Sequence, residues 1–305
     1  MGSQQVCVVG SDGFIGRHVV QDLLDAGHVV HTFDRRTRAL DPQDPDDVVL
    51  EADHVVWAAA TINPMVADND PSQVQVDVAF FQTFLDTMRD RGRGRTILLS
   101  SGGTVYDQSV APPYAESSPV GPSSAYGAAK LEIEERLLAT DPRPLVLRVA
   151  NPYGAGQPVA SGQGVIAHRL DSVMAGVPLQ VYGDLTLARD YVHVEDVARA
   201  VTLAVGTRCE ERVLNIGTGT PTTLSGLLDI VTQAVGERMV PVEHHESRRF
   251  DATSTWLDCS LAAEAIGWQP VWDLASGVAS MWRSIAHATT VAEPLAAVSE
   301  PAPAG

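Results

Sequence analysis

The feature that most constrains this chain is a set of three glycines, Gly10, Gly13 and Gly16, placed between an apolar run at 5–10 and a helical pattern. Glycine permits the tight turn and the close backbone approach that a strand-to-helix transition needs when a ligand sits above it. Beyond the loop Ile15, Val19 and Leu23 recur every fourth residue and Gly27 follows, which predicts an amphipathic helix with a glycine stop. The N-terminus of that helix offers free N–H groups to an anion. A second apolar run, 29–33, ends on Asp34, at the distance where a carboxylate can bind the ribose hydroxyls of an adenosine. Strand, glycine loop, helix, strand and acid in this order predict a dinucleotide site. Gly10, Asp12, Gly13, Phe14, Ile15 and Gly16 are its candidate phosphate contacts, with Asp34 and Arg35 on the adenosine side. Asp34 favours NAD because a carboxylate repels the extra ribose phosphate of NADP; Arg35 and Arg36 keep NADP open.

Further runs at 54–59, 96–100 and 145–151 alternate with helical stretches, so the fold class is α/β: a Rossmann-type doubly wound parallel sheet. After Asn151 the rhythm becomes irregular, with a helix near 165–175 and strands near 179–182 and 213–216, which predicts a smaller α/β substrate-binding lobe. The expected division is a Rossmann domain at 1–152, rejoined by 186–212, a lobe from 153–185 and 213–285, and a flexible tail at 286–305. Between the runs at 54–59 and 96–100, Val74, Val78, Phe81 and Leu85 form one stripe and Phe80, Phe84 and Met88 a second. A helix apolar on two sides predicts a partner helix and hence a homodimer.

Charge excludes whole classes of partner. With 21 basic against 38 acidic residues the net charge is −17, which repels nucleic acid and anionic membrane surfaces, so an anionic ligand needs local arginines and helix N-termini. Cys7, Cys209 and Cys259 are far apart and form no metal-ligand cluster, so no metal is expected and a reducing, cytoplasmic setting fits. No apolar run approaches the ~20 residues of a membrane span, and the start of the chain carries no cationic leader.

The chemistry-bearing stretch is Ser100-Ser101-Gly102-Gly103-Thr104-Val105-Tyr106 at the end of the fourth strand, followed by Tyr126-Gly-Ala-Ala-Lys130 opening a helix. Residues four apart share a helix face, so Lys130 lies beside Tyr126. A phenol with an ordinary pKa of about 10 is a poor base at neutral pH, and a neighbouring cation favours its ionised form. Tyr126 is thus a candidate acid/base for a hydroxyl undergoing hydride transfer.

With these motifs in this order, the sequence resembles the extended short-chain dehydrogenase/reductase family, the sugar-nucleotide epimerases, dehydratases and ketoreductases. The resemblance spans roughly 5–282 and includes Ala58-Ala59-Ala60, Leu147-Arg-Val-Ala-Asn-Pro-Tyr-Gly154, Arg189-Asp-Tyr-Val-His-Val-Glu-Asp196 and Asn215-Ile-Gly217. It implies cofactor contacts at Ala58, Ala59, Ala60, Ser100, Tyr126, Lys130 and Pro152. On the substrate side it implies Ser101, Thr104, Tyr126, Asn151, Val165, Tyr182 and Arg189, with Arg248 on a phosphate and Asp251 on the nucleoside ribose. Relatives carry the catalytic Ser or Thr where this chain has Gly102, so Ser101 or Thr104 must supply that hydroxyl, Ser101 being preferred. Asp77 stands at the usual Asn of the helix after Ala60, the third strand is abbreviated, and Asp41 and Asp44 are candidate adenine contacts. The Thr-Asp-Glu triplet of the dehydratases is absent, which disfavours water elimination. The expected activity is NAD-dependent epimerisation of a nucleoside-diphosphate sugar at C4. The alternatives are NAD(P)H-dependent 4-ketoreduction in deoxysugar biosynthesis and a dinucleotide sensor without turnover.

Overall fold

The structure is a computed structural model that describes residues 2–36, 38–159, 164–246 and 254–292. The strands are β1 Gln5–Val9, β2 Val29–Phe33, β3 His54–Trp57, β4 Arg95–Ser101, β5 Leu145–Val149, β6 Asn151–Tyr153, β7 Leu179–Tyr182, β8 Ala188–Arg189, β9 Tyr191–His193, β10 Val213–Ile216, β11 Thr222–Thr223 and β12 Val242–His245. The helices are α1 Phe14–Asp25, α2 Asp47–Leu50, α3 Pro64–Asn69, α4 Pro71–Arg91, α5 Ala125–Thr140, α6 Val165–Ala175, α7 Val194–Gly206, α8 Leu224–Val235, α9 Ser260–Ile266 and α10 Leu274–Ala292.

Six parallel strands form the main sheet in the order β10-β5-β4-β3-β1-β2, so strand order reverses between β1 and β3. That reversal opens a crevice at the carboxyl ends of the strands. Alternate residues of β1 face opposite layers: Val6 and Val8 pack with Val19 and Leu23 of α1 and Val197 and Val201 of α7, and Cys7 and Val9 pack with α4 and α5. Among the described residues, the chain between β2 and β3 makes the four-residue α2 and an isolated bridge between Asp34 and Arg38.

Three expectations need correction. The stripe of Phe84 and Met88 is not left for a partner: Phe84 is fully buried and Met88 is 7% exposed. The ring of Trp57 draws in Phe81 and Phe84, with centroids at 4.7 and 4.8 Å. The six buried residues of α4 thus make one face about 120° wide, and Phe80 lies on its border. Secondly, β10 is the edge of the main sheet rather than part of the lobe, and Leu257, α9 and Trp268 pack with it into the same core. The lobe has its own core, built from α6, α8, α10 and residues of β7 and β9. Thirdly, residues 286–292 of the expected tail are helical: they continue α10, which runs to Ala292 and buries Val278, Met281 and Trp282 in the lobe. The remainder of that segment lies outside the described residues.

Candidate active site

The glycine loop lies at the crevice, and each glycine has a steric reason. Gly10 has φ +88°, and a Cβ there would stand 2.6 Å from the Ala59 nitrogen. A Cβ on Gly16 would strike the Gly10 carbonyl, and one on Gly13 would come to 3.0 Å from it. The loop therefore packs directly on the Ala58–Ala59 backbone at the end of β3. It holds the start of α1 open, with neither a side-chain cap nor an acid in the first turn. Those free N–H groups suit a pyrophosphate, so the cradle fits a dinucleotide.

Asp34 stands across the loop, accepting from the Arg36 amide at 2.7 Å and from Ser11 Oγ at 3.5 Å. Arg35 is exposed, and Arg36 reaches Asp12 only at 3.8 Å, so the acid dominates this end of the site. Asp41 and Asp44 are engaged elsewhere, which corrects their assignment to adenine. Asp41 accepts from the amides of its own turn, and Asp44 pairs with Arg91 of α4 at 2.9 Å. Asp77 accepts from both the amide and the hydroxyl of Thr61, so it fixes the loop that follows Ala60.

At the end of β4 the backbone passes close over α5. Ser124 caps α5 by accepting from the Gly127 amide at 3.1 Å, and a Cβ on Gly127 would strike the Thr104 carbonyl. The glycine after Tyr126 thus lets the 102–105 turn lie on the first turn of the helix. Lys130 is buried, and its Nζ lies 5.8 Å from the Tyr126 ring centre. Thr104 Oγ1 is closed off from solvent and has no hydrogen-bond partner, which is costly for a hydroxyl that no ligand uses. Ser101, at the end of β4, is half-buried.

Gly102, where the resemblance implies a hydroxyl, is closely packed. A Cβ would meet Leu257 Cδ1 at 2.6 Å and the Arg148 carbonyl at 3.0 Å. Ser100 also departs from its expected role. Its hydroxyl donates to Glu134, which is fully buried and also accepts from Arg148 Nε at 3.0 Å and Nη2 at 2.7 Å. The side chain of Ser100 is therefore tied into the sheet–helix seam rather than turned toward a cofactor.

Sequence reasoning missed this seam. Arg148 lies 4.8 Å from the Tyr106 ring centre, the Tyr106 hydroxyl donates to Asn215 at 2.7 Å, and Asn215 Nδ2 donates to the carbonyls of Tyr114 and Asp258. Burial raises the Tyr106 phenol above its ordinary pKa although Arg148 pulls it down. Glu134, four residues after Lys130 on the same face, was the available signal. Asp190 is likewise structural. It accepts from Thr218, Gly219 and Leu257, and burial raises its pKa against those bonds.

On the lobe side, Asn151 donates through its side chain to the Asp190 carbonyl at 2.8 Å, and Pro152 beside it is half-buried. Val165 is the first residue of α6. Tyr182 stacks on His245 with centroids 4.9 Å apart. Arg189 is half-buried, bonded to the Ala188 carbonyl and in register with Thr222. Arg248 and Asp251 lie outside the described residues. Burial pushes the Cys7 thiol up to about 12 and raises Cys259 as well, so neither serves as a nucleophile. Among the described residues no cluster fit for a metal occurs, and no helix is long and apolar enough to cross a membrane.

Comparison with known proteins gives the family and the fold. The profile of the NAD dependent epimerase/dehydratase family matches residues 6–217. A UDP-glucose 4-epimerase of Mycolicibacterium smegmatis is 31% identical, covering 89% of this chain and 95% of its own. A dTDP-6-deoxy-L-talose 4-dehydrogenase (NAD(P)(+)) of Kitasatospora kifunensis is 30% identical over 91% of this chain and 94% of its own. Among solved structures, the UDP-glucose 4-epimerase of Thermus thermophilus in complex with NAD superposes with a TM-score of 0.81 at 28% identity, covering 93% of this chain and 99% of that one.

Proposed function

Because the chain belongs to the NAD-dependent epimerase/dehydratase family, we propose that it inverts the C4 centre of a nucleoside-diphosphate sugar without net redox change. The observations that support this reading are the Lys130 ammonium beside the Tyr126 ring and the packing of the 102–105 turn, with its unpartnered Thr104 hydroxyl, on the first turn of α5. NAD, when bound, supplies reversible hydride acceptance. Tyr126 takes the proton of the sugar hydroxyl, with the buried Lys130 ammonium beside its ring. Thr104, in preference to Ser101, donates to the reacting oxygen, since its hydroxyl is already enclosed and lacks any other partner. Once the keto sugar has presented its other face, the hydride that bound NAD would give back and the proton returned from Tyr126 together complete the inversion. Arg189 holds the diphosphate, and Tyr182 flanks the base.

A second reading, one-way reduction of a 4-keto sugar nucleotide in deoxysugar biosynthesis, is favoured by the exposed Arg35 and Arg36 beside Asp34. Incubation with UDP-, dTDP-, GDP- and CDP-sugars separates the two. The epimerase reading expects an isomer with unchanged absorbance at 340 nm. Stoichiometric loss of NADPH or NADH overturns it in favour of the reductase.

The proposal includes a cytoplasmic homodimer. Its contact is the exposed side of α4, where Val76 and Phe80 lie outside the core. A monomeric mass by light scattering at micromolar concentration overturns the dimer.

A further inference from the structure

Among the described residues, Arg169 is a buried guanidinium without a counter-ion. It sits on α6 at 4% exposure, flanked by Ile166, Leu170 and Val173 of the lobe core. Nη1 meets only the Leu224 carbonyl, at 3.5 Å, and Nε is buried with no partner. No described carboxylate pairs with it, whereas Arg148, equally deep, has Glu134. Desolvation lowers its pKa, with only the Tyr191 phenol acting against that. A buried, uncompensated charge of this kind is costly, and in a protein of net charge −17 an acid could easily have been placed beside it.

Its position indicates what offsets that charge. Leu224 follows by two residues Thr222, the register partner of Arg189 on β8. The buried Tyr191 feels both Arg169 and Arg189, each of which opposes the effect of burial on its phenol. Two guanidinia, from α6 and from β8, thus act on one buried phenol of the lobe. Neutral sugar hydroxyls would leave the Arg169 charge uncompensated. A phosphate oxygen would not, and its geometry matches the guanidinium fork.

We propose that Arg169 and Arg189 form a single anion subsite, beside Tyr191, that takes a phosphate of the nucleoside diphosphate. This assignment rests on the sugar-nucleotide reading above.

The test uses the NAD-loaded full chain and calorimetry with UDP, dTDP, GDP and CDP and with the matching nucleosides. For Arg169→Met, the dissociation constant of the preferred diphosphate is expected to rise about 10- to 150-fold, with Arg169→Lys recovering part of the loss and nucleoside and NAD affinities unchanged. Without ligand, the Arg169→Met melting midpoint is expected to equal or exceed that of the unsubstituted protein, because an unpaired buried charge has been replaced by an apolar chain of similar length. Diphosphate affinity of Arg169→Met within threefold of the unsubstituted protein overturns the subsite. So does a ligand-free midpoint far below it, which would identify Arg169 as a structural residue. If the unsubstituted protein binds no nucleoside diphosphate, the sugar-nucleotide reading falls and the subsite with it. If it binds one and the variant binds equally well, only the subsite falls.

Discussion

Glu134→Ala tests the seam that holds α5, and with it Tyr126 and Lys130, against the sheet. The substitution removes a fully buried carboxylate that accepts from Ser100 Oγ and from two nitrogens of Arg148. Arg148 is itself only 5% exposed, and its Nη1 already lacks a partner, so its charge would remain inside with the Tyr106 ring as its main neighbour. Breaking a buried pair in this way costs about 3–5 kcal/mol. At roughly 2 °C per kcal/mol for a chain of this size, the thermal midpoint is expected to fall by about 6–10 °C. Adding Arg148→Met removes the stranded charge, and most of the loss should return, since apolar replacement of a whole buried pair is often neutral. Turnover should behave differently. Glu134 lies one turn beyond Lys130, so without the pair the height of α5 over β4 and β5 is less firmly set. The double variant is then expected to fold well yet lose about 10- to 100-fold in kcat, with KM little changed. Melting followed by circular dichroism and steady-state kinetics on the two variants would read this out. A Glu134→Ala midpoint within about 2 °C of the unsubstituted protein, or a double variant as unstable as the single one, refutes the reasoning.

Tyr126→Phe should lower turnover by about 10²–10⁴-fold while NAD affinity stays unchanged, and turnover within threefold would exclude Tyr126 as the acid/base. Thr104→Val is expected to cost more in kcat than Ser101→Ala; the reverse order in a kinetic comparison would return the donor role to Ser101. His54 supplies a pH prediction. Burial lowers its pKa from 6.5 to about 4, and its Nδ1 has no partner. Its folded-state pKa lies below the unfolded value, so the stability it contributes is present above pH 6.5 and is lost as pH falls from there toward 4. In His54→Asn, the drop in unfolding free energy between pH 7 and pH 5 should shrink by roughly 2 kcal/mol, and an unchanged drop in urea titrations would contradict this.

What the sequence determined by itself was whatever depends on local order along the chain. The Gly10–Gly16 loop, the helix behind it, Asp34 closing β2, and Tyr126 one turn from Lys130 all follow from periodicity and from what glycine permits. The opening of a crevice at the carboxyl ends of the strands follows from the way parallel strands cross over. The tertiary structure decided everything that depends on which surfaces meet. Met88 and Phe84 looked like a free stripe because periodicity gives a direction around the helix but not the width of the surface that receives it; Trp57, on another element, supplied that width. Strand 213–216 reads as part of the lobe from its place after Asn151, because a four-residue run carries no information about its neighbour; pairing with β5 puts it in the main sheet. The missing side chain at Gly102 became intelligible only once Leu257, 155 positions later, was seen to fill the space. Ser100, a candidate cofactor contact, proved to belong with Glu134 and Arg148 to a buried polar seam. Desolvation leaves a buried charge stable only where a partner from a distant strand or helix arrives to meet it.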